Sequence, residues 1–161
     1  MTKFLLSLHV LAAILAVGPV TVAASMFPAA VRRVPVAATV GGGDGAGVWD
    51  VGTVRLLHRI CRVYAGLGIA VPVLGFATAA SMGVLGDAWL VASITLTAVA
   101  AGLLAAFVLP RQEELLEQLT DRQPVERALT ARLAMFTGVF NLLWATVTVL
   151  MIVRPGSTTG A

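Results

Sequence analysis

The chain has 161 residues, 58% of them hydrophobic and only 12% charged, with a mean hydropathy of +0.94. Soluble domains carry roughly 25% charged residues, so this composition excludes an ordinary water-soluble domain and places the chain in the membrane class. The formal charge of +3 does not point to nucleic acid, because the arginines flank apolar stretches and form no basic face with interleaved aromatics; the single cysteine excludes an intrachain disulfide and a Cys-x-x-Cys pair.

The first element is Phe4–Phe27, a run without one formal charge and long enough to cross a ~30 Å hydrocarbon layer at ~1.5 Å per residue. Lys3 and the small residues Val22-Ala23-Ala24 imitate a signal peptide, but the run exceeds the usual ~7–15-residue apolar region, so a retained helix is expected. Gly18-Pro19 predicts a kink. On this helix His9 shares a face with Ala12, Ala13, Ala16, Val20 and Ala23, and small seams of this kind bring helices into close contact in lipid. His9 is therefore expected to face the bundle.

From Pro28 to Gly52 the chain reads as a flexible connection, with Pro28, Pro35 and the run Gly41-Gly42-Gly43-Asp44-Gly45-Ala46-Gly47. It lacks the Lys and Ser/Thr of a phosphate-binding loop. A second helix starts near Asp50 or Thr53, either of which can cap it. Its basic amphipathic first turns, 53–62, place Arg55, His58, Arg59 and Arg62 on one face, expected to meet anionic lipid head groups, or else an anionic ligand or an acidic partner.

The second span is 63–83. It contains Gly66-x3-Ala70 and Gly75-x3-Ala79, the spacing of close helix contacts, and Pro72 predicts a kink. After a short turn with Trp89 at the interface, the third span is 88–108. Beyond Pro110 lies the charged segment 111–127. Its Leu115, Leu116 and Leu119, set against Glu113, Glu114, Glu117 and Asp121, suggest a short amphipathic helix, either a solvated extension of the third span or a docking surface.

The fourth span, 133–153, carries Asn141 near its middle, with Thr137, Ala145 and Thr148 on the same face. An amide in lipid is costly unless paired, so Asn141 is expected to bond another helix. The tail from Pro155 reads as disordered.

Nine of the 11 basic residues lie in the two long connections: Arg32, Arg33, Arg55, Arg59 and Arg62 in the first, Arg111, Arg122, Arg127 and Arg132 in the second. The positive-inside rule then puts both connections in the cytoplasm and both termini outside. Heavy use of Ala, Val, Gly and Arg suggests a bacterial source, hence the inner membrane. The expected fold is an all-α transmembrane four-helix bundle forming one domain.

The span cores hold no Asp or Glu, which argues against a stand-alone ion-coupled carrier. HExxH, GxSxG and paired carboxylates are missing, so hydrolase chemistry is unsupported. His9 is the one intramembrane group with chemical potential. Imidazole is a common axial ligand of haem, and Met82 or Met151, at the outer ends of their spans, are candidate second ligands. His58 lies near the opposite face, roughly 30 Å away at the helical rise. The alternative is a hydrogen-bonded structural histidine.

The Leu8-His9 pair, the sequence RLLHRICR at 55–62 and the four compact spans together resemble a group of small bacterial integral membrane proteins. That group is distantly similar to the HemJ-type protoporphyrinogen oxidases and the CopD-like family. The resemblance implies His9 as a haem or metal ligand. The chain departs from HemJ where the first helix reads Gly18-Pro19 and has no tryptophan after the histidine, and where no basic residue lies within the cores. Taken with the missing catalytic motifs, the expected role is a non-catalytic accessory or stabilising subunit of a larger membrane complex, with a b-type haem oxidoreductase as the alternative.

Overall fold

The computed structural model describes residues 2–34 and 50–156. The expectations for the glycine run at 41–47 and for the end of the tail therefore lie outside the described residues.

Helix α1 covers Thr2–Arg33 and stays helical through both Pro19 and Pro28. The sequence places the end of this element at Phe27. It continues instead because the turn after Pro28 is needed for packing: Phe27 and Ala30 are fully buried and Val31 nearly so. Burial of this kind offsets the hydrogen bond that proline removes.

Helix α2, Val51–Leu67, is capped by Asp50, whose carboxylate accepts from the Thr53 amide at 2.7 Å and its hydroxyl at 2.8 Å. Helix α3, Ala70–Met82, continues the same span after a step at Gly68-Ile69. The irregularity falls four residues before Pro72 because proline has no N–H for the Gly68 carbonyl, which accepts from Val71 N instead.

The turn after α3 closes with Gly83 in the left-handed region, φ 72°, and with Val84 N bonded to Ala79 O and Gly83 N to Ala80 O. Trp89 then donates from its indole to the Asp87 carboxylate at 2.9 Å, and Arg154 stacks over the same ring from the far end of the chain.

Helix α4 (Ala88–Leu103), a π-helical turn (Leu104–Val108) and α5 (Leu109–Thr120) form one continuous rod. The charged segment is thus no separate helix. The widened turn directly precedes Pro110, which cannot donate to the turn before it. Helix α6, Arg127–Val153, starts six residues earlier than the apolar run suggests, because Leu129 and Thr130 are buried against the rest of the bundle.

Among the described residues every regular element is helical, and four segments are long and apolar enough to cross a membrane: Thr2–Arg33, Val51–Met82, Ala88–Thr120 and Arg127–Val153. Large apolar side chains face outward along them, with Phe4, Leu142 and Ile152 each about 70% exposed. That is the surface of a protein solvated by lipid.

Helix α1 packs against α2, α3 and α6; α6 also packs on α4, and α5 reaches across to α2. The main core collects at one end of the bundle, from Phe27 and Val31 through Val54, Leu57 and Cys61 to Leu115, Leu133 and Phe140. The opposite end holds a small separate cluster of Ala79, Trp89 and Leu90. Spans two and three therefore close on each other near the arginine-rich end, where α5 provides the bridge.

Candidate functional site

His9 is buried, as its small-residue face predicts, and it faces α3. Its Nδ1 lies 3.0 Å from the carbonyl oxygen of Val71. A carbonyl can only accept, so Nδ1 carries a proton and donates, with Nε2 on the far side of the ring. Gly75 makes room for the ring: a Cβ there would sit 2.8 Å from His9 Cε1. The sequence reading of Gly75 as a close-contact glycine holds, with an imidazole as the group that approaches.

Met82 lies seven residues beyond Gly75, about 10 Å further along α3 at the helical rise. Met151 is in the last turns of α6, where its carbonyl accepts from Arg154 Nε at 3.3 Å. The imidazole itself lies directly on α3 at Gly75.

The structure divides the basic lead-in of α2. Arg55, Arg59 and Arg62 are exposed, whereas His58 is buried with Val54, Leu57 and Cys61. Grouping His58 with the arginines is thus corrected. Residues 54, 57, 58 and 61 form one stripe and 55, 59 and 62 the neighbouring one, and the core claims the first.

His58 Nδ1 donates to Gln112 Oε1 at 3.2 Å, and Gln112 Nε2 donates to Cys61 Sγ at 3.5 Å. Gln112 is fully buried, and its amide orientation is set by having one partner of each kind. Sequence reasoning missed it. Its signal was positional: Gln112 falls three residues before Leu115 and seven before Leu119, on the face that α5 turns toward α2 and α6. His58 lies thirteen residues before Val71, so the two histidines are separated by about 20 Å along span two, less than the topology alone suggested.

Glu113, Glu114 and Glu117 are exposed on the outer side of α5, with Arg111 3.9 Å from Glu114. Asn141 bonds another helix: its Nδ2 donates to Ser25 Oγ of α1 at 3.0 Å. Its Oδ1, together with Thr137 Oγ1 and Trp144 Nε1 on the same side of α6, is buried without a protein partner. Among the described residues no group of three or more His, Cys, Asp or Glu side chains is placed to hold a metal ion.

These features define an all-α, multi-pass membrane protein in which His9, His58, Gln112 and Asn141 bond between helices. No family model matches the chain, and neither a curated protein nor a solved structure matches it.

Proposed function

We propose that this chain is a non-catalytic accessory or stabilising subunit of a larger complex in the bacterial inner membrane, such as a lipid transporter or a respiratory assembly, with both termini outside. The observation that carries the reading is the fate of the two small-x3-small pairs of span two. Gly75 and Ala79 are used within the chain, under His9 and against the Trp89 cluster. Gly66 and Ala70 are exposed, and no atom lies within 4 Å of the position a Gly66 Cβ would take. Such a pair lets a second helix approach closely where the hydrophobic effect gives no drive. The exposed arginines of α2 and glutamates of α5 offer a partner charged surfaces next to it.

The test is purification from native membranes in mild detergent. A defined larger subunit at fixed stoichiometry, lost in Gly66→Leu and Ala70→Leu, supports the reading. Recovery as a free monomer under conditions that preserve other complexes overturns it.

The second reading is a haem b protein of HemJ/CopD-like type using His9. One observation favours it: a backbone carbonyl on Nδ1 is the arrangement that directs Nε2 toward a metal. An absorption spectrum of the same preparation decides it. A Soret band lost in His9→Ala would put the haem protein first.

A further inference from the structure

An opening in the described structure lies away from both histidines. Two cavities, of about 270 Å³ and about 420 Å³, share Arg32 at the end of α1 and Arg127 at the start of α6 as walls. Among the described residues, Pro124, Val125 and Thr130 also line the first and Ala131 the second. At ~30 Å³ per water, either has room for a phosphate group together with part of its hydration.

The two arginines among the described residues lining this opening suit an anion. Arg32 and Arg127 line it from two separate helices, and guanidinium forks match phosphate oxygens in pairs. The Thr130 hydroxyl already donates to Glu126 O, at 3.2 Å. Glu126 provides no side-chain cap, so the positive end of the 27-residue helix that begins at Arg127 is left without a side-chain acceptor. Neither Arg32 nor Arg127 forms an ion pair with a described carboxylate.

The position selects the source of the anion. Arg32 ends one apolar span and Arg127 begins another, which puts the opening at the depth of lipid head groups. Its remaining walls, Pro124, Val125 and Ala131, are apolar and suit the glycerol end of a lipid. We propose that Arg32 and Arg127 bind the phosphate of an anionic phospholipid head group at the junction of α1 and α6. This does not depend on the accessory role.

The experiment uses the full-length protein in zwitterionic-lipid nanodiscs, titrated with short-chain phosphatidylglycerol, with phosphatidylcholine and inorganic phosphate as parallel arms. Retained lipid is read by native mass spectrometry. Phosphatidylglycerol is expected to bind at least tenfold more tightly than phosphatidylcholine. Arg32→Gln and Arg127→Gln should each lose at least fivefold of that preference, while Arg55→Gln/Arg59→Gln keeps it. Arg32→Lys and Arg127→Lys, which retain charge and helical content, should fall between, and they keep the test decisive should the glutamine variants not fold. Equal binding of both lipids, or equal loss in the Arg55/Arg59 variant, overturns the site. Inorganic phosphate binding as tightly as phosphatidylglycerol overturns the lipid as its occupant.

Discussion

His9 and Gly75 are locked together: the imidazole occupies the space that any side chain at 75 would fill, with 2.8 Å from Cε1 to the site of an added Cβ. A ring cannot yield by rotating a flexible end, so Gly75→Ala must displace it and stretch the Nδ1–Val71 bond. Overpacking and a weakened buried hydrogen bond together should cost about 1–3 kcal/mol, read as a lower unfolding midpoint in detergent. The cost should vanish in the background of His9→Ala, where the space is open. A double-mutant cycle measures that coupling, and additive losses would show that the contact is not what the glycine serves.

The His58–Gln112–Cys61 chain joins α2 to α5 in the part of the bundle where the core is largest. Gln112→Leu strands a buried imidazole N–H and should destabilise by about 1–3 kcal/mol. Replacing both partners, as His58→Phe with Gln112→Leu, should recover most of the loss because no polar group is then left unmet. Chemical unfolding followed by tryptophan fluorescence compares the three proteins.

Asp50 lies outside the membrane-spanning segments, and its carboxyl is held below its ordinary value of 3.8 by the Thr53 amide and then by the Thr53 hydroxyl. A depressed folded-state value means that the cap's contribution is fully present above 3.8 and is lost as pH falls through the lower folded value. Hydrogen exchange at the Thr53 amide should therefore be protected at neutral pH and lose protection in strong acid. Asp50→Asn keeps an acceptor, so its protection should be insensitive across the same range.

Among the helix ends in the left-handed conformation, those at Gly83 and Arg122 predict opposite outcomes. At Gly83 the surroundings are open, so Gly83→Ala should cost about 1 kcal/mol through backbone strain alone. After α5 the same wrap places Arg122 at φ 56°, with Gln123 N on Gln118 O at 2.8 Å. Glycine is the residue this position favours, so Arg122→Gly should stabilise by up to about 1 kcal/mol. Thermal melts of the two variants should shift in opposite directions.

The four apolar runs, the Asp50 cap, the burial of His9 on a face of small residues and the need of Asn141 for a partner on another helix were legible in the chain. Each follows from composition or from the 3.6-residue period, which act within one segment. The partners were not legible. The arginines at 55, 59 and 62 and the buried residues at 54, 57, 58 and 61 are adjacent stripes of one helix, and only the arrival of α5 decides that His58 turns inward. Gln112 stands in a charged segment and becomes core because the rod from Ala88 to Thr120 stays helical past Pro110 and lays one side on α2 and α6. Similarly, Arg32 and Arg127 are far apart in sequence and line one opening only because α1 and α6 pack against each other. Local periodicity determines which faces are apolar; which helices those faces meet is a property of the packed bundle, since it depends on contacts between segments that no single stretch encodes.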